Sequence, residues 1–195
     1  MVRPRADNYD QKKLEILDAA AEMFAERGFD GTSISAIVKR CGVSKALLYH
    51  YYQSKEALLY SMLLAHCQLL VDTVSSAMLD VEDPKTRLQS VVRALMQLYL
   101  TSRNKHVVLL NNLHALPQEQ QAEIKELERS IVKTIKGIVS ELRPDLKSET
   151  TSALSMNLMG AVNWTYTWFN PDGRISARDY ADLSTTVFVE GIASC

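Results

Sequence analysis

Residues 32–55, TSISAIVKRCGVSKALLYHYYQSK, combine the side-chain types that bind a nucleic acid. From residue 31 to residue 55 there are four basic residues and no Asp or Glu, although the whole chain has 22 Lys and Arg against 23 acids. The stretch is also rich in Ser, Thr, Tyr and His. Cations neutralise phosphates, while hydroxyls and helix amides fix the register on a duplex. The stretch therefore predicts contact with a polyanion.

Two short helices around a tight turn position these side chains. The first helix starts at Thr32 or Ser33, hydroxyl residues that suit the capping of free amide groups. Gly42 ends it, since glycine tolerates positive φ, and the chain turns before a second helix over residues 45–52. This pattern predicts a helix-turn-helix that places its second helix in the major groove of DNA.

Leu47 is the ambiguous residue of the second helix. Facing outward, it can contact a thymine methyl group; facing inward, it packs in the core beside Leu48. We favour the outward orientation. For Tyr49, His50 and Tyr51, phosphate contact competes with simple aromatic packing at the surface.

The composition indicates a globular, cytoplasmic protein. The chain has 195 residues, of which 47% are apolar and 23% charged, enough for one large domain or a small one joined to a larger one. The apolar runs are short for a bilayer span, and the amino end lacks the apolar segment of a secretory signal, so we expect no membrane partner. Cys41, Cys67 and Cys195 are scattered, which favours reduced thiols over a metal site.

Charge is divided unequally along the chain. Residues 1–55 contain nine Lys and Arg against seven acids, a net charge of +2, whereas the remainder contains 13 against 16, a net charge of −3. Only the amino-terminal part suits a polyanion, so the larger part is expected to serve another purpose.

Helical periodicity runs through the whole sequence. We expect a mobile arm over residues 1–9, then a helix capped by Asp10 that buries Leu14 and Leu17 along one face. Ser54 caps a long helix to about residue 79, and Asp83 with Pro84 starts the next. Further helices are predicted over residues 107–116, 117–142, 148–169 and 176–193. The prediction is an all-α fold of about nine helices.

The segment ILDAAAEMFAERGFDGTSISAIVKRCGVSKALLYHYYQSKEALL resembles the TetR family of bacterial transcriptional regulators. The resemblance implies a DNA-binding domain over residues 9–69, with a three-helix helix-turn-helix, and a ligand-binding and dimerisation domain over residues 70–195. It also implies a homodimer that reads a palindromic operator. By position, the DNA contacts would be made by Thr32, Ser33, Ser44, Lys45, Ala46, Tyr49, His50, Tyr51 and Lys55. Leu47 joins them as a departure from the small polar residue common there, and Val38 replaces a usual alanine.

The same resemblance implies that the last two long helices, residues 148–169 and 176–193, form a four-helix bundle with a second copy. Small residues permit close helix approach, and the apolar surface exceeds what one side of a helix requires. We therefore expect a homodimer through these helices.

A carboxy-terminal segment, GAVNWTYTWFNPDGRISARDYADL, is similar to the corresponding stretch of family members that sense acyl-coenzyme A. An effector cavity needs apolar walls with a few polar groups. The residues that we predict to line it are Met96, Tyr99, Arg103, Asn111, Asn157, Trp164 and Trp168. Plain core or dimer packing is the alternative for the tryptophans. Arg93, Arg103, Lys105 and His106 either bind a phosphate of the effector or are solvated charges.

The functional prediction is a DNA-binding repressor released from its operator by a small hydrophobic or acyl-CoA-type effector. The alternative is a constitutive or architectural DNA-binding protein without an effector. No cofactor and no metal are expected. The sequence lacks a paired Cys/His/Asp cluster, a phosphate-binding glycine loop and a nucleophile elbow, so we predict that it is not an enzyme.

Overall fold

The structure, a computed structural model, describes the backbone of residues 4–194 and the side chains of residues 11–194. Within that part of the chain, every regular element is helical, which confirms the all-α prediction. The elements are α1 (Pro4–Arg27), α2 (Ile34–Cys41), α3 (Lys45–Tyr51), α4 (Lys55–Ala77), α5 (Pro84–Thr101), α6 (Arg103–Asn112), α7 (Gln118–Leu142), α8 (Ser148–Asn163), α9 (Thr165–Trp168) and α10 (Ala177–Ala193). A 3-10 turn, Leu113–Ala115, follows α6. The predicted count of about nine helices is matched when α9 is counted as the end of α8.

Some helix boundaries differ from the sequence prediction. α1 begins at Pro4, so Asp10 lies inside the helix and not at its start, where the cap was predicted. Residues 4–9 are therefore helical where a mobile arm was expected, and residues 1–3 lie outside the described part. α6 already begins at Arg103, because only Ser102 interrupts the helical run after α5.

The helix starts predicted from caps at Ser54 and Asp83 were correct. Ser54 Oγ accepts the Ala57 amide at 3.0 Å at the start of α4. Asp83 accepts the Thr86 amide at 2.8 Å, with Pro84 in the first turn of α5. Such caps satisfy amides that have no partner within the helix.

The chain forms two compact units. The first comprises the residues up to His66 together with Asn104–Ile124, and the second comprises Cys67–Arg103 with the chain from Lys125 onward. α4 and α7 each contribute residues to both units. Residues 104–124 belong to the first unit.

The core of the first unit is built on one face of α1. Ile16, Ala20 and Phe24 are almost fully buried, and the Phe24 ring lies 5.3 Å from that of Phe29. Leu14, which was expected in this core, is 52% exposed. It precedes Ile16 by two residues, which places it on the opposite side of the helix.

Helix α4 is long and apolar enough to cross a membrane when judged by length and composition alone. A core helix of a soluble protein passes the same test, and one such helix is weak evidence. The apolar residues of its first turns, Leu58, Leu59, Met62 and Leu63, are buried in the protein.

The second unit is organised around α10, which packs against α5 and α8. Its core includes Leu88, Leu95, Leu158 and Phe188. The Arg93 guanidinium of α5 forms a bidentate ion pair with Asp182 of α10. Burial of the apolar faces supplies most of the stability of such a bundle, and the ion pair fixes the register of the two helices.

Candidate nucleic-acid interface and effector-binding residues

Helices α2 and α3 form the predicted helix-turn-helix. Ser33 caps α2 by accepting the Ala36 amide at 3.2 Å, and Ser44 caps α3 by accepting the Leu47 amide at 3.1 Å. Gly42 ends α2 with φ +66°, a left-handed conformation that strains other residues. Both serine side chains are exposed. Because each Oγ only accepts the capping bond, its proton can be donated to a phosphate.

Helix α3 has one buried and one exposed face. Leu48 is fully buried, and Tyr52, just after the helix, is 3% exposed, so both face the core as predicted. The exposed residues are Lys45, Ala46, Tyr49 and His50. Leu47 and Tyr51 are half-buried at the edge between the faces, so a base contact by Leu47 stays a prediction.

The exposed face of α3 is electropositive and aromatic. The Lys45 ammonium lies 5.8 Å from the Tyr49 ring centroid, and Tyr49 is 43% exposed. The His50 ring meets Tyr51 edge to face at 5.6 Å. Arg40 of α2 is instead engaged with Glu22 of α1 at 2.7 Å. Lys45 of α3 is therefore better placed than Arg40 of α2 to contact a phosphate.

The prediction that the Thr32 side chain contacts DNA is corrected by its burial. Its side chain is 2% exposed, and its hydroxyl is directed to the carbonyls of Gly28 at 2.9 Å and Met23 at 3.1 Å. It ties the loop before α2 to the end of α1, and Ser33 alone caps α2 through its side chain. A buried hydroxyl that is already bonded cannot also contact a phosphate.

Lys55 has an internal role that the sequence did not reveal. Its ammonium donates to the carbonyl oxygens of Phe29 at 2.8 Å and Thr32 at 3.0 Å. It also lies 4.0 Å from the centroid of the Phe29 ring. These contacts fix the loop between α1 and α2 to the start of α4.

The substitution Lys55→Met tests this role. We expect it to lower the free energy of unfolding by about 1–3 kcal/mol, because two charge-assisted hydrogen bonds are lost. Urea denaturation followed by circular dichroism measures the change. Lys39→Met, at an exposed basic position of α2, is the matched control and should leave stability unchanged. If both variants are as stable as the parent, Lys55 does not stabilise this loop, and only its predicted contact with DNA is left.

The predicted effector residues do not form one cluster. Met96 and Tyr99 are buried in the second unit, whereas Trp164 is 61% and Trp168 51% exposed. Asn111 is exposed in the first unit and donates to the Val107 carbonyl at 2.8 Å. The prediction that the tryptophans and Asn111 line an interior effector cavity is therefore corrected, because side chains directed to the surface cannot line such a cavity.

Arg103 and Asn157 also lie outside the interior of the second unit. Arg103 is exposed and donates to the Tyr166 carbonyl at 3.1 Å. Asn157 is exposed in a surface groove between α8 and α10. Of the other candidate phosphate ligands, Arg93 is paired with Asp182, and Lys105 is paired with Asp18 at 2.7 Å.

A small polar cluster does surround Tyr99 inside the second unit. The Tyr99 hydroxyl donates to Asn163 Oδ1 at 2.7 Å, and Thr165 Oγ1 lies 3.8 Å from the Met96 sulfur. Burial raises the pKa of Tyr99, and the charge of Glu128 raises it further. Burial likewise raises the pKa of Cys67 to about 12, again with a contribution from Glu128.

Sequence reasoning missed Asn163, Glu128 and Cys67 in this cluster. Burial also raises the pKa of the Glu128 carboxyl. Glu128 lies in a strongly charged stretch of α7 that is typical of a solvated face. Its position could have been found only from the packing of α7.

Two buried histidines lie together in the first unit. His66 and His106 are each 2% exposed, and their rings meet edge to face at 5.7 Å. Burial lowers the pKa of His66 to about 4, helped by Lys105, and that of His106 to about 3, helped by His66. Both imidazoles are therefore neutral at pH 7. In the described part of the chain, no three metal-ligating side chains come together.

An apolar groove follows α8 and α10 in the second unit. It has a volume of about 470 Å³, and its walls include Leu154, Ala161, Leu183 and Val187. Leu183 is 52% and Val187 62% exposed. These are the helices that the sequence assigns to dimerisation.

Comparison with known proteins decides the family. Residues 81–192, more than half of the chain, match the family described as "Tetracyclin repressor-like, C-terminal domain". Residues 16–62 match the family described as "Bacterial regulatory proteins, tetR family". The chain belongs to the TetR family. The resemblance found in the helix-turn-helix sequence is thereby confirmed, and it extends well beyond that segment.

Solved structures of the family share the fold. A TetR-family regulator from Bordetella parapertussis is 34% identical, with a TM-score of 0.89 over 94% of this chain and 96% of that one. AibR in complex with isovaleryl coenzyme A and operator DNA is 27% identical, with a TM-score of 0.79 over 90% of this chain and 97% of that one. A further relative, the transcriptional activator FasR of Mycolicibacterium smegmatis, is 25% identical over 93% of this chain and 83% of its own length.

Family membership establishes the class of activity. TetR-family proteins are DNA-binding transcription regulators, so the chain is a transcription regulator and not an enzyme. The helix-turn-helix of α2 and α3 lies within the matched residues 16–62.

Proposed function

We propose that the protein binds a palindromic operator as a homodimer and represses transcription until an effector releases it. The observation that carries this proposal is the exposed face of α3, where Lys45, Ala46, Tyr49 and His50 stand beside the capping hydroxyl of Ser44. Ser33 and the half-buried Leu47 and Tyr51 complete the proposed contacts. We assign DNA binding to residues 9–69, and dimerisation and effector binding to residues 70–195, in a cytoplasmic protein.

The division of labour among these contacts follows from their chemistry. Lys45 and the serine hydroxyls contact phosphates and set the register of the helix. Tyr49 and His50 reach base edges or phosphates from the centre of the exposed face. Leu47 supplies an apolar contact to a thymine methyl group.

Substitutions in α3 test this assignment. Lys45→Ala should weaken binding to all DNA sequences by about ten-fold and reduce the salt dependence of the affinity by about one counterion. Leu47→Ala should weaken binding to some operator variants more than to others, since it removes a base contact. Fluorescence anisotropy with labelled operators measures both effects. Glu26→Ala, an exposed substitution on α1, serves as the control, and parental binding by Lys45→Ala would contradict the docking.

The dimer is proposed to form along the α8–α10 groove. In addition to exposed Leu183 and Val187, the two helices carry Gly160 and Gly191, at each of which a Cβ atom would meet no atom within 4 Å beyond its chain neighbours and its own helix backbone. Packing inside one protomer therefore does not require glycine, which costs a helix about 1 kcal/mol relative to alanine. Close approach of a second copy accounts for both positions.

The proposed effector is a hydrophobic small molecule or an acyl-CoA thioester. Support comes from the AibR complex, which contains isovaleryl coenzyme A and operator DNA. The interior around Met96 and Tyr99 offers apolar walls and a few polar groups in the second unit. An effector lowers operator affinity only to the extent that it binds the DNA-incompetent conformation more tightly.

Thermal denaturation with a panel of acyl-CoAs and free hydrophobic acids tests the effector class. A ligand present at 100 times its dissociation constant should stabilise the protein by about 2.7 kcal/mol and raise the melting temperature. The same compound should release labelled operator. Free coenzyme A is the control for its nucleotide part. Absence of stabilisation by every thioester would remove the acyl-CoA proposal.

A constitutive DNA-binding protein is the second candidate function. It is favoured by the dispersion of the predicted effector residues, because five of the seven lie at the surface. Titration of the operator complex with cell metabolites separates the two functions. Release by a small-molecule fraction supports the regulated protein, whereas an operator affinity insensitive to every fraction supports the constitutive one.

A further inference from the structure

Two imidazoles are buried against each other in the unit that contains the helix-turn-helix. His66 of α4 and His106 of α6 both belong to the first unit, and their ring centroids lie 5.7 Å apart. Within the described part of the chain, neither ring nitrogen of His66 has a hydrogen-bond partner. A buried polar group without a partner costs about 1–3 kcal/mol. An apolar side chain at position 66 would avoid this cost, so packing alone does not explain the pair.

The charge beside the pair is positive. Lys105 of α6 acts on His66, and its ammonium is paired with Asp18 of α1 at 2.7 Å. His66 in turn acts on His106. An imidazolium at this contact would therefore be buried beside a cation, and a second imidazolium would be repelled by the first.

The other acids of the neighbouring helices are engaged elsewhere or absent. Residues 57–71 of α4 contain no Asp, Glu, Lys or Arg. On α7, Glu123 accepts a hydrogen bond from the Tyr60 hydroxyl. On α1, the acids on either side of Asp18 are paired, Glu15 with Lys12 and Glu22 with Arg40. A protonated imidazole would therefore gain no carboxylate partner in place, so protonation and the contact between α4 and α6 exclude each other.

Helix α6 is attached by few side chains. It has ten residues, and its buried ones are His106, Val108, Leu109 and Asn112. The Asp18 side chain is 61% exposed, and ion pairs of that kind contribute about 1 kcal/mol or less. Segments held by few buried contacts open at a lower free energy than the whole protein unfolds. Separation of α6 from α4 therefore does not require global unfolding.

The two helices that α6 contacts also support the helix-turn-helix. α4 begins at Lys55, which holds the loop before α2 through two carbonyl oxygens. α1 contributes Ile16, Ala20 and Phe24 to the core of the same unit. Loss of the α6 contacts would remove packing from both helices. The unit would then hold α2 and α3 less rigidly.

We propose that the contact between His66 and His106 makes operator binding sensitive to pH, because protonation separates α6 from α4 and lowers operator affinity. The proposal rests on the operator binding of the proposed function and adds the proton as a regulator. Once separated, the hydrated imidazoles regain pKa values near 6.5, whereas burial lowers the pKa of His66 to about 4 and that of His106 to about 3. Between pH 7.5 and pH 5.5, separation should become about 10-fold more favourable for each imidazole and about 100-fold for the pair.

Fluorescence anisotropy of the full chain with a labelled operator, selected from random duplexes, tests this at pH 7.5 and pH 5.5. The parent should lose operator affinity at least about 10-fold at the lower pH, whereas His66→Leu with His106→Leu should lose less than about 3-fold. His114→Leu, at an exposed position, should behave like the parent. Protonation of His50 on α3 has the opposite sign, because an imidazolium at the DNA would attract phosphates. Circular dichroism at both pH values shows that each variant is folded.

Hydrogen exchange follows the separation itself and needs no DNA. The amides of α6 should exchange at least about 10-fold faster than those of residues 16–24 in α1, after correction for intrinsic rates, because α6 opens locally. Their protection should fall about 10-fold or more on acidification, and the double variant should not show this fall. Equal protection of α6 and α1 at pH 5.5 would overturn the inference, because α6 would then leave only on global unfolding.

The outcomes separate this inference from the proposed function. The same acid-induced loss of affinity in the parent and in the double variant would overturn the inference and leave operator binding intact. If the double variant does not fold, His66→Leu and His106→Leu are measured singly, and each should remove about 10-fold of the shift in α6 protection. A parent chain that selects no operator at pH 7.5 would contradict the proposed function, and with it the regulation of operator binding.

Discussion

Replacing Leu183 and Val187 together by glutamate is expected to convert the proposed dimer into monomers and to abolish tight binding to the proposed operator. Both side chains are more than half exposed in the protomer and line the α8–α10 groove. In the dimer the new carboxylates would be buried without a partner, at a cost of several kcal/mol. The protomer itself should keep its fold, because the two positions are exposed within it.

The loss of DNA affinity should exceed the effect of any single contact in α3. A monomer presents one recognition helix, so it loses the second half-site and falls towards non-specific affinity, a decrease of at least about 100-fold. Sedimentation and operator anisotropy measure the two effects. Leu79→Glu, an exposed apolar position outside the groove at 70% exposure, is the matched control. If the double variant remains dimeric, the dimer interface must lie elsewhere on the chain.

Acidification is expected to destabilise the protein through His66 and His106. The folded protein holds both imidazoles neutral, with pKa values of about 4 and about 3, whereas in the unfolded chain both have values near 6.5. The unfolded state thus binds more protons below pH 6.5. The stabilising contribution is fully present above that pH and is lost as the pH falls towards 4.

The expected decrease in the free energy of unfolding is about 4 kcal/mol between pH 7 and pH 5 for the two histidines together. Urea denaturation at a series of pH values measures it. The His66→Leu, His106→Leu variant should lose most of this pH dependence, while His114→Leu, at an exposed position, should keep it. The same slope in the parent and the double variant would show that other groups dominate.

The parts of the fold that depend on local sequence were predicted from it. The caps at Ser54 and Asp83, the cap at Ser33 as one of two candidates, and the helix end at Gly42 were predicted from residue type alone, whereas the cap at Ser44 was not predicted. The inward positions of α3 follow from helical spacing. These features need no knowledge of what the helices pack against.

Roles that depend on partners distant in sequence were not predictable. Lys55 was expected at the DNA because it is basic, yet its ammonium is bonded to carbonyls 23 and 26 residues earlier in the chain. Thr32 has a hydroxyl, as a phosphate-contacting residue often does, but its side chain is as buried as a core residue. The orientation of Trp164 and Trp168 likewise depends on how Phe169 packs, which spacing alone does not reveal.

The positions of the predicted effector residues were the hardest to predict, for the same reason. Of the predicted effector residues, Met96 and Tyr99 of α5 are interior, and their contact with an effector stays a prediction. Asn163, which accepts the hydrogen bond of Tyr99, comes from the end of α8, and Glu128 comes from α7. An effector-binding surface is assembled by packing, so sequence spacing on one helix identifies only a part of it.

Selection of DNA by the purified protein tests the central claim most directly. The protein is incubated with random duplexes, and the retained DNA is sequenced. Operator binding by a dimer of helix-turn-helix units predicts an inverted repeat with half-sites about one helical turn, or a multiple of it, apart. It also predicts that Lys45→Ala with Tyr49→Ala retains little of this DNA. Enrichment of no motif, or the same enrichment by that variant, would contradict the claim.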